Sequence, residues 1–325
     1  MKGHDMLDAV GDIDGKLIEE ADAAVKKQTG RRFGWIAAAA ACLLIGAGIA
    51  VPVLLHRASA KKQTADAGEG VYIPAIELEE PSEGKIARSM VGLVVYRGRI
   101  YTQAEDYFGE DAKPIEPLVG DRIGTAKGNI NEWSSQDEYA TELASTVVGE
   151  VYTVKGYDDG FRICIRDGFE DENGEPVVWI QFFDCLNGVT LHSGKDLFED
   201  RLQLRERTVS VRYQTHADWD SGIADETDAE LNPDEWDAFL EQVDACAFLN
   251  MYDPDGNWSD PANDYTTVYD TPNQTHLILT QNNGTAVRLR LIEGGYVGYQ
   301  PLGWYFVKIP EDVFNAVYDA CGGTH

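Results

Sequence analysis

One apolar segment near the start of the chain constrains its architecture more than any other feature. Residues 33–56 contain no Asp, Glu, Lys or Arg, and Gly34–Leu55 (GWIAAAAACLLIGAGIAVPVLL) is almost wholly apolar. As an α-helix these 22 residues would extend about 33 Å, enough to cross a bilayer core of ~30 Å. The segment therefore predicts one transmembrane helix over residues 34–55, with the lipid bilayer as its partner.

The residues that flank this segment indicate how it is oriented. Small residues at 58–60 (ASA) resemble a signal-peptide cleavage site, but the preceding region is long and acidic, which favours an anchor that is not cleaved. Basic residues are slightly enriched on the N-terminal side, where cytoplasmic flanks usually carry them. They are Lys26, Lys27, Arg31 and Arg32, against Arg57, Lys61 and Lys62 after the segment. We therefore expect a cell-membrane protein with a cytoplasmic N-terminus and an extracellular C-terminal body.

The charge of the chain is distributed very unevenly. Residues 63–325 contain 18 Lys and Arg against 49 Asp and Glu, a net charge of −31, whereas residues 1–62 carry +2. A body this acidic repels phosphate backbones, so nucleic-acid binding is not expected. The ordinary explanation for such a charge is that it keeps the body soluble. The alternative explanation is that the body binds cationic partners or divalent ions.

The cytoplasmic head, residues 1–33, has the spacing of an amphipathic helix. Its apolar positions recur every three or four residues and form a stripe that a cytosolic protein could cover. The predicted partner-binding residues are Leu7, Val10, Ile13, Leu17, Ile18 and Ala21. The alternative is a juxtamembrane helix that lies on lipid or only prolongs the anchor.

After a predicted linker at residues 56–87, β-strand signals dominate the sequence. Turn residues at 97–98 (RG), 158–160 (DDG), 173–174 (NG) and 282–284 (NNG) separate runs of apolar and β-branched residues. The predicted strands are Val91–Tyr96, Arg99–Gln103, Glu150–Tyr157, Phe161–Arg166, Val177–Phe183, Thr208–Tyr213, His276–Thr280, Ala286–Ile292, Tyr296–Tyr299 and Trp304–Ile309.

Two helices are predicted to frame the second group of strands. Asn232 and Pro233 form a helix start, followed by an apolar stripe of Trp236, Phe239, Leu240, Val243 and Ala247. Pro310 opens the other helix, whose stripe is Val313, Phe314, Val317, Tyr318 and Cys321. The predicted fold class is α+β, with a mainly antiparallel ectodomain that allows two lobes, a β-rich one at 88–215 and an α+β one at 216–325.

Two stretches of the body are candidate binding sites. Asp253, Asp255 and Asn257 alternate as oxygen ligands of calcium do, although Gly256 does not stand where an EF-hand loop needs its glycine. A plain Asp-Gly turn explains the same residues. Apart from this possible calcium site, no cofactor is expected. Tyr296, Tyr299 and Trp304 are candidate ligand-stacking aromatics if their rings face solvent, and core packing is the alternative.

Catalytic signatures are absent from the sequence, so we expect no enzyme. It contains no GxSxG, GxGxxG, P-loop or HExxH motif, and the histidines of the body are scattered over separate segments. No zinc-ligand spacing occurs among the four cysteines of the body, Cys164, Cys185, Cys246 and Cys321. These cysteines could form disulfides or remain as buried free thiols.

Parts of the chain resemble a known group of proteins. The head DMLDAVGDIDGKLIEEA (5–21), with the basic flank and Ala-rich anchor after it, resembles the N-terminal regions of clostridial single-pass proteins that are often considered anti-sigma factors. The body resembles an uncharacterised clostridial ectodomain in MVGLVVYRGRIYTQAE (90–105), GNINEWSSQDEYATELAS (128–145), LNGVTLHSGKDLFEDRL (186–202) and EGGYVGYQPLGWYFVKIP (293–310).

This resemblance implies that the head holds a cytosolic sigma factor. With the predicted topology, it gives the leading hypothesis of a single-pass membrane signalling protein, an anti-sigma-like regulator with an extracellular sensing domain. The alternative is a membrane-anchored surface module that binds glycan or peptide without catalysis and uses the head only as part of its anchor.

Overall fold

The computed structural model describes residues 70–76, 91–131, 134, 136–251 and 273–323, all within one compact unit. The first eight strands are β1 (Val71–Ile73), β2 (Leu93–Tyr96), β3 (Arg99–Phe108), β4 (Val119–Lys127), β5 (Val148–Val154), β6 (Arg162–Glu170), β7 (Pro176–Asp184) and β8 (Val189–Leu191). Strands β1 and β8 pair in a two-stranded sheet, and the other six form a sheet of order β2-β3-β7-β6-β5-β4.

The remaining described strands are β9 (Thr208–Thr215), β10 (Thr227–Asp228), β11 (Phe248–Asn250), β12 (Gln274–Gln281), β13 (Ala286–Ile292), β14 (Tyr296–Tyr299) and β15 (Tyr305–Lys308). They form a seven-stranded sheet of order β10-β9-β12-β13-β14-β15-β11. Every strand pair among the described residues is antiparallel, so the predicted antiparallel character is confirmed.

Short helical segments connect these strands. The α-helices are α1 (Gln136–Tyr139), α2 (Leu204–Arg207), α3 (His216–Asp220), α4 (Pro233–Ala245) and α5 (Glu311–Ala320). A π-helical turn covers Lys195–Glu199, and 3₁₀ turns cover Gly109–Ala112, Glu116–Leu118 and Gln300–Leu302. None of the helices in the described ranges is long and apolar enough to cross a membrane. The predicted transmembrane helix and the head lie outside those ranges.

Local sequence signals explain the predicted hairpins and framing helices, which are confirmed. Arg97 and Gly98 both have positive φ, +51° and +69°, as a two-residue turn between right-twisted strands requires. The Asn232 side chain caps α4 by accepting a hydrogen bond from Asp234 N at 2.9 Å. One stripe residue is wrong: Ala247 is exposed because α4 ends at Ala245.

The largest hydrophobic core lies between the seven-stranded sheet and the two framing helices. Phe239 and Val243 of α4 and Phe314 and Val317 of α5 are fully buried against Leu279 and its neighbours on the sheet. Burial of each of these side chains contributes about 1.5–3 kcal/mol. The same core includes residues from 73, 161 and 186–204, so segments from both predicted lobes contribute to it.

Two observations refine the predicted domain boundaries. Val71–Ile73, inside the predicted linker, pair with Val189–Leu191, so this part of the linker belongs to the folded body. Strand β9 precedes the predicted boundary at residue 216, yet it pairs with β12 of the seven-stranded sheet. The division into two lobes stays a prediction.

Candidate functional site

An open cleft of about 490 Å³ lies where the six-stranded sheet, the β1–β8 sheet and the π-helical turn come together. Its size lies in the range of small-molecule sites. Its lining is polar and mixed in charge and consists of Arg99, Asp158, Gly160, Phe161, Cys185, Val189, Thr190, His192, Asp196, Asp200 and Arg201. We refer to these residues as the cleft.

Buried hydrogen bonds fix the floor of the cleft. The Asn187 side chain is buried and donates from Nδ2 to Ile100 O at 2.6 Å, which ties the chain after β7 to β3. On one wall, Asp158 Oδ1 accepts a hydrogen bond from Gly160 N at 2.8 Å. This Asp-x-Gly turn is the one that the sequence predicts between β5 and β6, because Asp side chains bond to backbone N–H groups two residues on.

Asp196 of the π-helical turn orients a histidine that precedes the turn, His192. Asp196 Oδ2 accepts from His192 N at 2.6 Å and lies 3.2 Å from His192 Nδ1. Partial burial raises the pKa of Asp196, but the hydrogen bonds from His192 outweigh it and hold that pKa below its usual value. The His192 side chain is 62% exposed and lines the cleft. Single π-helical turns frequently occur at functional sites.

Two arginines of the cleft are held by backbone carbonyls rather than by carboxylates. Arg99 donates from Nη1 to Gly160 O at 3.1 Å and from Nη2 to Asn187 O at 3.3 Å. Arg201 Nη1 donates to Asp196 O. Within the described ranges neither guanidinium has a carboxylate at ion-pair distance. Because each guanidinium has five N–H groups, both arginines retain donors for a ligand.

The thiol in the cleft is chemically inert. Burial raises the pKa of Cys185, and the positive charges of Arg99 and Arg201 offset this only in part. Burial likewise raises the pKa of Cys164 and Cys321 to about 12. The four described cysteines are free thiols, and a neutral thiol is neither a nucleophile nor a metal ligand.

Directly beneath the cleft, a buried ion pair joins the two large sheets. Arg162 of β6 donates from Nε and Nη2 to the two carboxylate oxygens of Asp184 on β7, both at 2.7 Å. Tyr299 of β14, in the seven-stranded sheet, donates to Asp184 Oδ2 at 2.9 Å. The guanidinium also lies over the rings of Tyr157 and Phe161. Because Phe161 and Cys185 are the sequence neighbours of this pair, it positions the cleft floor.

The predicted ligand aromatics do not form one site. Tyr299 is 1% exposed and belongs to the buried ion-pair cluster, so it does not meet the condition of a solvent-facing ring. Tyr296 is half-buried, with Lys308 Nζ 4.8 Å from its ring centre, and Trp304 is half-buried. None of the three lines the cleft.

A second polar cluster, which the sequence does not predict, joins two histidines that are 60 residues apart in sequence. His216 Nδ1 lies 3.2 Å from His276 Nε2, and the ring of Trp219 stacks on His276 at 4.3 Å. Burial, and then the charges of Arg290 and His216, hold the pKa of His276 well below its usual value. His276 is therefore neutral at pH 7. The part of the chain that the structure describes contains no group of three or more His, Cys, Asp or Glu suited to a metal.

Other predicted site residues lie outside the described ranges. They are the head residues Leu7, Val10, Ile13, Leu17, Ile18 and Ala21 and the calcium candidates Asp253, Asp255 and Asn257.

The chain has no significant match among protein-family models, curated proteins or solved structures. The resemblance to clostridial membrane proteins remains a prediction from the sequence.

Proposed function

We propose that this chain is a single-pass membrane signalling protein whose acidic body binds a small extracellular ligand in the cleft. The observation that carries the proposal is the cleft itself: Arg99, Arg201 and His192 line one open cavity of about 490 Å³. A concave site of this volume that brings several polar side chains together is a candidate ligand site. Two of the stretches that carry the resemblance, 90–105 and 186–202, contain Arg99, His192 and Arg201.

We assign the cleft a binding role without turnover. His192 and Asp196 share the geometry of an oriented general base. Covalent catalysis would also need a protein nucleophile beside them, but the cleft thiol is buried and neutral. The sequence also lacks the motifs of the common hydrolases.

The signalling part of the proposal depends on the sequence plan of a short amphipathic head, an apolar anchor and a large outer body. In this plan the head, on the cytoplasmic side, restrains a sigma factor in the manner of an anti-sigma-like regulator, and ligand binding outside changes that restraint. The full-length chain should co-purify with a sigma factor from its own cells. Leu17→Asp with Ile18→Asp should abolish this, because the substitutions place charge on the apolar stripe.

A matched control for this experiment is Glu19→Gln with Glu20→Gln, which changes the charge of the head without altering its apolar residues. Recovery of no sigma factor by the full-length chain would contradict the signalling role. It would leave the alternative, a membrane-anchored binding module for glycan or peptide that uses the head only as part of its anchor.

A further inference from the structure

We infer that the cleft holds its ligand by a carboxylate group, which Arg99 and Arg201 bind through their free N–H donors. The inference rests on the proposed function, since it names the ligand chemistry of the same cleft. It assigns the ligand to small molecules with one carboxylate and several hydrogen-bond donors, such as acidic sugars or the C-terminal end of a peptide.

Arg99 and Arg201 bring two guanidiniums to the cleft without a carboxylate partner among the described residues. Of the eleven described arginines, seven have a carboxylate at ion-pair distance: Arg97, Arg122, Arg162, Arg166, Arg205, Arg212 and Arg288. Arg99, Arg201 and Arg207 donate to backbone carbonyls, and Arg290 donates to Gln274 Oε1. Arg99 and Arg201 are the two of these four that line the cleft, where an anionic ligand could pair with both.

The carboxylates of the cleft are already engaged. Asp196 accepts from both the backbone and the ring of His192, and Asp200 pairs with Lys195. Asp158 accepts from the backbone of its own turn. Beyond the bonds to backbone carbonyls given above, the two guanidiniums have no hydrogen-bond partner among the described residues.

The cleft also limits the charge and size of the ligand. A guanidinium binds carboxylate and phosphate in the same bidentate way. Three aspartates line the same cleft, and the whole body is acidic, so a second negative charge on the ligand would be repelled. A cavity of about 490 Å³ also exceeds the size of a bare ion. A monocarboxylate with hydroxyl or amide donors for the aspartates satisfies both conditions.

The test is calorimetric titration of the full-length chain in lipid nanodiscs with paired probes. D-glucuronate is compared with D-glucose, and tetra-alanine with its C-terminal amide. Inorganic phosphate is a fifth probe. We expect the carboxylate member of one pair to bind about tenfold or more tightly than its neutral partner, because a hydrogen bond to a charged group is stronger than one to a neutral group. The pair that responds distinguishes a sugar from a peptide source.

Variants then assign the binding to the cleft. Arg99→Gln and Arg201→Gln should each weaken carboxylate binding by about tenfold or more. Arg122→Gln, which changes the net charge equally at an ion pair outside the cleft, should leave it unchanged. Thermal melting of each variant checks that it is folded.

Several outcomes would overturn the inference: equal binding of charged and neutral partners, unchanged binding in both cleft variants, tighter binding of phosphate than of either carboxylate, or no binding of any probe. A further variant, Thr190→Trp at the exposed cleft wall, separates failure of the carboxylate assignment from failure of the proposed function. If the wild type binds a neutral probe and Thr190→Trp blocks that binding, the cleft is a binding site and only the carboxylate assignment is wrong. If the wild type binds no probe, both are contradicted.

Discussion

The buried ion pair under the cleft gives the sharpest prediction for the stability of the body. Asp184→Asn changes one oxygen to an amide and leaves the volume almost unchanged, but it removes the carboxylate that is paired with Arg162. The Arg162 side chain is 1% exposed, and its Nη1 has no hydrogen-bond partner among the described residues. We therefore expect Asp184→Asn to lower the free energy of unfolding by about 3–5 kcal/mol, the cost of leaving a buried charge unpaired.

Companion variants separate the charge from the packing. Tyr299→Phe removes only the hydroxyl that donates to Asp184, so its cost should be smaller, about 1.5–3 kcal/mol. Arg162→Met combined with Asp184→Leu removes both charges and should regain most of the stability lost in Asp184→Asn. Glu150→Gln, which breaks the exposed pair with Arg122, should cause no comparable loss.

The assay is urea unfolding of the full-length chain in detergent micelles, followed by tryptophan fluorescence at constant detergent concentration. A loss below about 1 kcal/mol for Asp184→Asn, or a double variant less stable than the single one, would refute the reasoning, because an unpaired buried charge must cost more than a buried apolar pair.

Three further predictions concern local features of the fold. Because the folded-state pKa of His276 is depressed, the unfolded chain takes up a proton below about pH 6.5 that the folded chain refuses, so stability should fall by up to about 1.4 kcal/mol per pH unit as pH decreases. Unfolding titrations at pH 5–7 should show a shallower slope for His276→Gln, and parallel slopes would contradict this reading. Asn232→Ala should cost about 1 kcal/mol through loss of the α4 cap, and Asn232→Gly only a few tenths, in the same unfolding assay. Gly194→Ala should destabilise more than Gly98→Ala, because an added Cβ meets the carbonyl oxygen of Val243 at the first position, whereas at the second it meets nothing within 4 Å and adds only the strain of a positive φ; equal melting temperatures would exclude this.

Local signals in the sequence account for most of the correctly predicted elements. The hairpin at 97–98 and the helix that begins at Pro233 are specified by adjacent turn and capping residues. Strand β4 was not predicted because glycines and charges interrupt its alternation, and its pairing with β5 shifts register twice. Strand β1 depends on a partner more than 100 residues away, which no local pattern reveals.

The cleft could not be predicted from the sequence, because its residues are ordinary when read singly. Arg99 begins a strand, Asp158 belongs to a turn, and His192 precedes a short helical turn. Only the fold brings them to one cavity. Likewise, His216 and His276 stand in separate segments and meet because β9 and β12 are neighbours. Tyr299 shows the reverse case, since an aromatic-rich stretch resembles a binding surface until its burial is known.

The central claim is that an accessible cleft faces the outside of the cell. Thr190→Cys places a thiol at an exposed position of the cleft, while the native Cys164, Cys185 and Cys321 are buried. Cys246 is only half-buried, so the experiment uses a parent chain that carries Cys246→Ser. A membrane-impermeant maleimide applied to intact cells should label the Thr190→Cys variant of this parent and not the parent itself, and the carboxylate probe that binds in calorimetry should protect the thiol. Labelling only after the cells are lysed would contradict the account.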